Sequence, residues 1–147
     1  KSRVFVENRL FATLDPKSSR LRFPKDTEAV ITDTVGFIRD LPPDLFAAFR
    51  ATLDELQEAH VLLHVVDAAN PDCESHIAAV EKILVELAIN DKPTVMVFNK
   101  EDRVADRELL ATLCRRYGAV AVSALDKNTL PPLIARLATV VKKLDQR

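Results

Sequence analysis

Three polar residues that follow an apolar run could select a nucleotide base. They are Asn99, Lys100 and Asp102, with Glu101 in the variable position between the last two. An aspartate can accept one hydrogen bond from a ring N–H and another from an exocyclic amine, and guanine offers these two donors side by side whereas adenine does not. Because a carboxylate facing the wrong base would stay unpaired, one such residue can separate GTP from ATP.

The pattern therefore predicts a guanine-reading loop. In it Asn99 ties the loop and contacts the base, the stem of Lys100 covers the face of the base, and Asp102 reads its edge. The alternative is an ordinary polar loop after a strand, since a pattern of three fixed residues also arises by chance.

A second polar cluster, Asp33-Thr34-Val35-Gly36, follows a short β-branched run. An aspartate in this position can hold the hydration shell of Mg²⁺, and a glycine lets a backbone N–H approach a γ-phosphate closely. A simple turn is the alternative, because a glycine after a strand most often marks one.

A third cluster, Ser123-Ala124-Leu125, follows the last apolar run of the chain. Its position is informative because ligands of open α/β sheets bind beyond the carboxyl ends of the strands. We therefore expect the three clusters to converge on one edge of a sheet, in an order that would ring a guanine nucleotide.

The elements that must position these clusters alternate between strands and helices. Apolar runs typical of strands covered on both faces stand between stripes of apolar residues at helical spacing, which predicts an open α/β sheet with right-handed crossovers. Gly118 is expected to end one of the helices. The predicted elements are two hairpin-like strands at 20–23 and 29–33, a helix that starts near Pro42 and Pro43, strands at 61–68, 94–98 and 119–122, and helices along 77–87, 106–117 and 131–144.

Composition places the chain among soluble globular proteins. Of its 147 residues, 48% are apolar and 29% are charged, and the formal net charge is −1. These values do not indicate a basic nucleic-acid arm, and we expect no DNA partner. A local basic face could still contact RNA, because the net charge reports only the sum. No stretch approaches the roughly 18 uninterrupted apolar residues of a membrane span, so that we expect a cytoplasmic protein without a membrane partner. Cys73 and Cys114 are expected to be free thiols that are at least partly buried.

Several segments together resemble the HflX family of GTPases. The resemblance covers essentially the whole chain and rests on Leu10-Phe11-Ala12-Thr13-Leu14-Asp15-Pro16, Asp33-Thr34-Val35-Gly36-Phe37-Ile38-Arg39-Asp40-Leu41-Pro42, His64-Val65-Val66-Asp67-Ala68 and Asn99-Lys100. It implies an HflX-type G domain over residues 1–147, of class α/β, with the P-loop GTPase (Ras-like) three-layer fold and a mostly parallel sheet. It also implies GTP hydrolysis with Mg²⁺ and association with the large ribosomal subunit, including the splitting of ribosomes.

The resemblance further implies roles for individual residues. Thr13 would be the switch I threonine, a catalytic residue that also meets Mg²⁺, and its neighbours Phe11, Ala12, Leu14 and Asp15 would contact the nucleotide. The segment from Asp33 to Gly36 would begin switch II, with Asp33 near the metal and Gly36 at the γ-phosphate. Phe37 stands where many small GTPases carry a glutamine that orients the attacking water. We therefore expect slow intrinsic hydrolysis that the ribosome accelerates.

The sequence departs from the family at its start. A GTPase of this type should open with a strand, a Gly-x-x-x-x-Gly-Lys-Ser/Thr loop and a helix, and none of these is found in the chain. Gly36 and Gly118 are its only glycines, where average usage would give about ten. We thus expect a domain that is incomplete at its N-terminus, lacks the first strand, the P-loop and the first helix, and is inactive alone. The alternative to a GTPase is a non-catalytic interaction module that does not hydrolyse nucleotide.

Two further polar residues have simpler interpretations. His64 lies within an apolar strand and is expected to be packed or hydrogen-bonded rather than to bind a metal. Asp67 ends the same strand and is expected to cap the following loop.

Overall fold

The computed structural model describes the chain at residues 17–23, 27–33 and 46–145, with side chains described for residue 50 and residues 53–144. The chain divides into two compact units, Lys1–Ala59 and His60–Arg147. The assignment of residues 1–147 to one G domain stays a prediction.

The first unit contains a β-hairpin and a helix. Strands β1 (Lys17–Phe23) and β2 (Thr27–Asp33) pair antiparallel, from Lys17 opposite Asp33 to Phe23 opposite Thr27. The β-branched run before Asp33 favours the extended backbone, and the predicted hairpin is confirmed. Helix α1 (Phe46–Glu58) follows. Its predicted start near Pro42 and Pro43 lies outside the described residues.

The second unit alternates strands and helices. Its parallel sheet has the order β3-β4-β5, with Leu62 opposite Thr94, Asp67 opposite Asn99 and Val97 opposite Val120. Strands that run parallel need a crossover, and here each crossover contains a helix, as the alternating pattern predicts. The elements are β3 (Leu62–Asp67), α2 (Cys73–Glu86), β4 (Thr94–Asn99), α3 (Arg107–Tyr117), β5 (Val120–Ala121) and α4 (Pro131–Asp145).

One face of this sheet forms the main hydrophobic core with α2 and α3. Phe98 is fully buried at its centre, and the ring of Tyr117 meets it edge-on, with ring centroids 6.0 Å apart. Such aromatic pairs add to the energy of area burial. The buried residues of the cluster are Val66, Cys73, Ile77, Met96, Phe98, Leu110 and Leu113.

The other face is covered over only part of its width. Val95 and Val97 alternate with the core residues of β4 and are buried, and α4 packs on β4 and β5 with Leu137 buried. On β3, however, Leu63 is 38% exposed and Val65 is 55% exposed. The prediction that this strand is covered on both faces is therefore wrong for one face. An unbroken apolar run cannot reveal which strands the following helix reaches.

Helix α3 ends at Gly118 as predicted and begins one residue after the predicted start, with Asp106 as its N-cap. The side chain of Asp106 accepts a hydrogen bond from the backbone N–H of Leu109 at 3.0 Å, which satisfies one free donor of the first turn. Gly118 ends the helix with φ of 61°, in the left-handed region that suits glycine. The helix is thus held at both ends, directly after the loop that carries the first polar cluster.

Candidate functional site

The carboxyl ends of β3, β4 and β5 bring three loops side by side. The backbone N–H of Ala68 donates to the carbonyl of Asn99 at 2.9 Å, so that the ladder between β3 and β4 extends to the start of both loops. The N–H of Glu101 donates to the carbonyl of Val122 at 3.0 Å, and the N–H of Val122 donates to the carbonyl of Phe98 at 2.8 Å. Backbone hydrogen bonds therefore hold the starts of all three loops next to one another at one edge of the sheet.

Asn99 ties the middle loop to the loop after β5. Its Oδ1 accepts a hydrogen bond from the backbone N–H of Ala124 at 2.9 Å, across 25 residues of sequence. The loop-tying contact expected for Asn99 is thus present. Its contact with a base stays a prediction.

Lys100 lies between two fixed neighbours and pairs with Asp67. Its backbone is in the left-handed region, with φ of 66°, which is uncommon for a residue with a side chain and persists only where the surroundings hold it. Its Nζ lies 3.1 Å from Oδ2 of Asp67, and both side chains are about two-fifths exposed. The pair joins the loop after β4 to the loop after β3.

Asp67 also caps its own loop, as its position at a strand end predicts. Its Oδ1 accepts a hydrogen bond from the backbone N–H of Ala69 at 3.0 Å. Sequence reasoning missed the second contact of this carboxylate, with Lys100. Strand register could have indicated it, because Asp67 lies directly opposite Asn99.

The two acidic residues of the middle loop face different partners. Glu101 begins a short 3₁₀ helix, Glu101–Arg103, and its carboxylate accepts a hydrogen bond from Nη2 of Arg107 at 3.4 Å. Its carbonyl accepts a second one from Nη1 of Arg107 at 2.6 Å. Asp102 is exposed, and its carboxylate has no hydrogen-bond partner within the part of the chain that the structure describes. Of the two, Asp102 is thus the carboxylate that is free to receive a ligand.

The loop after β5 is closed by a threonine that sequence reasoning missed. Ser123 is 3% exposed, and its backbone N–H donates to Oγ1 of Thr129 at 2.9 Å. The same hydroxyl lies 3.0 Å from the carbonyl of Ser123 and 2.8 Å from that of Asp126, and either can accept its proton. Leu125 extends into solvent and is 81% exposed. A threonine a few residues after a turn is a common partner for the backbone, which is the signal that could have found it.

The predicted site residues therefore fall into two groups. One edge of the second unit carries Asn99, Lys100, Glu101, Asp102, Ser123, Ala124 and Leu125. Asp33 is described as the last residue of β2 in the first unit, without its side chain. The remaining predicted residues, together with Phe37, lie outside the described residues: Phe11, Ala12, Thr13, Leu14, Asp15, Thr34, Val35 and Gly36. All of the assigned roles stay predictions.

A cluster of polar side chains joins helices α2 and α3. Oε1 of Glu74 accepts hydrogen bonds from the hydroxyl of Tyr117 at 2.8 Å and from Nη1 of Arg116 at 2.6 Å. These two hydrogen bonds lower the pKa of the Glu74 carboxyl, and the bond to Glu74 raises the pKa of Tyr117. Because Tyr117 also contacts Phe98, the cluster supports the strand that leads into Asn99.

Three further titratable side chains of the second unit are buried or half-buried. His64 is half-buried, and burial lowers its pKa, against a smaller opposite effect of the Glu81 charge. Cys73 is buried and Cys114 is half-buried; both are free thiols, as predicted, and burial raises the pKa of each. Within the described ranges, no group of three or more His, Cys, Asp or Glu residues is arranged to hold a metal ion.

Among the residues that the structure describes, none of the helices is both long enough and apolar enough to cross a membrane.

Comparison with known proteins identifies the family. Residues 1–100 match the family described as 50S ribosome-binding GTPase. The chain is 55% identical to the GTPase HflX of Flavobacterium psychrophilum over 102 residues, which are 69% of this chain and 24% of that protein. It is 41% identical to the GTPase HflX of Magnetococcus marinus over 138 residues, 94% of this chain and 32% of that protein. The chain thus spans about a quarter to a third of the length of these two curated relatives.

A solved structure supports the fold. The chain is similar to a crystal structure of a complex of SsGBP and GDP, with a TM-score of 0.70 and 26% identity over 88% of this chain and 43% of the other. Together with the parallel α/β sheet, this similarity confirms the P-loop GTPase fold. With the family match over residues 1–100 and the HflX relatives, the conclusion is that this chain belongs to the family of 50S ribosome-binding GTPases and, within it, to the HflX GTPases.

Proposed function

We propose that the protein binds GTP and hydrolyses it to GDP and phosphate, and that the loop Asn99 to Asp102 reads the guanine base. The observation that carries this proposal is a difference in hydrogen bonding between two neighbouring carboxylates. Glu101 is engaged by Arg107, whereas Asp102 is exposed at the sheet edge with no hydrogen-bond partner among the described residues. Asp102 can therefore accept both guanine donors.

Asn99 supports the same proposal. Its Oδ1 accepts the N–H of Ala124, so that the amide NH₂ is the group of this side chain that would donate to a ligand. An NH₂ donor suits the acceptor atoms N7 and O6 of guanine. Acceptor and donor groups from two residues of one loop thus complement opposite sides of a guanine ring.

The hydrolytic part of the proposal rests on the sequence pattern. Thr13 and Asp33 would hold Mg²⁺, which neutralises phosphate charge when bound, and Gly36 would bring its backbone N–H to the γ-phosphate. The side chain of Phe37 has no polar group that could orient a water molecule, so that this role falls to the backbone, to another residue or to a partner. We therefore propose that hydrolysis is slow in the free protein and accelerated by the ribosome.

The proposed partner is the large ribosomal subunit in the cytoplasm. The match to a family described as 50S ribosome-binding GTPases supports this partner. The splitting of ribosomes would follow if the GTP-bound form binds a subunit surface that the 70S ribosome otherwise closes.

Calorimetric titration of the protein in its full natural length, with GDP and then with ADP, tests the base selection. We expect tight binding of GDP and no measurable binding of ADP at the same concentration. Phosphate release from GTP with and without large subunits tests the hydrolysis. If GDP binds but the subunits leave phosphate release at the rate without protein, the protein is a non-catalytic interaction module. Equal affinities for GDP and ADP would refute the role of Asp102.

A further inference from the structure

The two carboxylate oxygens of Asp67 serve different loops. Oδ1 accepts the N–H of Ala69 and holds the turn after β3, while Oδ2 lies 3.1 Å from Nζ of Lys100 in the loop after β4. The sequence separation of the second contact is 33 residues. Only the register between β3 and β4, which places Asp67 opposite Asn99, brings the two groups together.

The backbone of Lys100 is held on both sides. The carbonyl of Asn99 accepts a hydrogen bond from Ala68, and the N–H of Glu101 donates to Val122. Between these two contacts the chain turns sharply through the left-handed conformation of Lys100. The freedom left to this residue is therefore that of its long side chain, whose end Asp67 holds.

We infer that Asp67 is a positioning residue for guanine-nucleotide binding, and that it acts through Lys100. This inference rests on the proposed function. By holding the ammonium group, the carboxylate of Asp67 orders the aliphatic stem of Lys100 before the nucleotide arrives. A side chain ordered in advance loses less conformational freedom on binding, so that affinity increases without a new contact to the ligand.

The size of the effect follows from exposure. Both side chains of the pair are about two-fifths exposed, so water and salt weaken their attraction. We therefore expect a modest change in affinity of about three- to fivefold, far below that of a residue that touches the base.

The substitution Asp67→Asn separates the two contacts of this side chain. An asparagine keeps an oxygen that can accept the N–H of Ala69, but its amide carries no charge to hold Lys100. The turn after β3 is therefore kept while the pairing is lost. Asp72→Asn is the matched control, because Asp72 lies in the same loop, is exposed and makes no side-chain cap for α2.

The experiment is a double-mutant cycle on the protein in its full natural length. GDP affinity is measured by calorimetry for the wild type, Asp67→Asn, Lys100→Met and the double variant, and urea unfolding is measured in parallel. We expect Asp67→Asn to weaken GDP binding about three- to fivefold with an unchanged unfolding midpoint, and Asp72→Asn to have no effect. In the Lys100→Met background, Asp67→Asn should have no further effect. Asp67→Glu, which keeps the charge, should restore part of the affinity.

Two results would overturn the inference while leaving the proposed function intact. One is a wild type that prefers GDP to ADP, with Asp67→Asn equal to it in affinity. The other is the same loss from Asp67→Asn in the presence and absence of Lys100, which would show that Asp67 acts through its own loop. A wild type that binds GDP and ADP equally would overturn the proposed function as well.

Discussion

The two loops that follow β4 and β5 lie side by side at the sheet edge, yet they are held by different kinds of contact. The loop after β4 is anchored by side chains that reach across 25 and 33 residues, from Asn99 to Ala124 and from Lys100 to Asp67. The loop after β5 is closed locally by Thr129, six residues beyond Ser123. Both expose their tips, Asp102 and Leu125.

The two kinds of contact should contribute to different properties, one to the stability of the fold and the other to ligand binding. A local closure over a buried backbone contributes to folding, because its loss leaves Ser123 N–H without a partner away from water. Contacts between loops contribute chiefly to the relative placement of groups that face a ligand. Substitutions in the two anchors should therefore affect different measurements.

The largest effect is expected at the tip of the β4 loop. Asp102→Asn removes the charged acceptor for two guanine donors, and hydrogen bonds to charged groups are the stronger ones. GDP affinity should fall about a hundredfold, or about 2.7 kcal/mol, without a change in ADP binding. Calorimetric titration checks this, with Glu108→Gln as an exposed acidic control on α3. An unchanged GDP affinity would show that Asp102 in the loop after β4 does not contact the guanine base.

The next effect is expected at the closure of the β5 loop. Thr129→Val keeps the shape of the side chain but removes the hydroxyl that serves Ser123 and Asp126. The free energy of unfolding, measured by urea denaturation, should fall by about 1–3 kcal/mol. GDP affinity, measured without urea where the variant is folded, should be nearly unchanged. Thr139→Val is the control, because the Thr139 hydroxyl is exposed and donates to the carbonyl of Ala135 within α4. If both threonine variants lose equally little stability, the closure is not structural.

A smaller effect is expected at the anchor between the loops. Asn99→Ala removes the acceptor for the N–H of Ala124, which is exposed and can bind water instead. The free energy of unfolding should therefore fall by only about 0.5–1 kcal/mol, whereas GDP affinity should fall about fivefold. Asn128→Ala, on the neighbouring loop, is the exposed control. A loss of stability as large as that of Thr129→Val would erase the distinction between the two anchors.

The smallest effect concerns His64 in β3, the strand that pairs with β4. Burial lowers the pKa of His64, so in acid the unfolded chain takes up a proton that the folded chain resists. Above about pH 6.5 this residue imposes no penalty, and stability should decrease as the pH falls below that value towards the lowered pKa of the folded state. Thermal unfolding between pH 7.5 and about pH 5 should show a shallower acid loss for His64→Gln than for the wild type. The exposed His76 supplies the control variant His76→Gln, which should keep the wild-type slope.

Local signals predicted most of the second unit. Gly118 marks the end of α3 because a left-handed glycine acts on the nearest turn alone. The apolar run around His64 and Val66 marks β3 for the same reason. The run could not show that Leu63 and Val65 are exposed, since coverage depends on where α4 packs.

The sequence by itself determined the family, the order of strands and helices in the second unit, and two of the loops that meet at its sheet edge, those of Asn99 and Ser123, because these follow from spacing and local backbone preference. The place of the Asp33 to Gly36 cluster stays a prediction. Tertiary structure decided which polar groups of those loops remain available to bind a ligand. The fold pairs Glu101 with Arg107 and leaves Asp102 without a hydrogen-bond partner among the described residues. It also turns the oxygen of Asn99 towards Ala124 and joins Lys100 to Asp67. Contacts of this kind depend on the register of neighbouring strands, which places residues 25 and 33 positions apart within hydrogen-bonding distance.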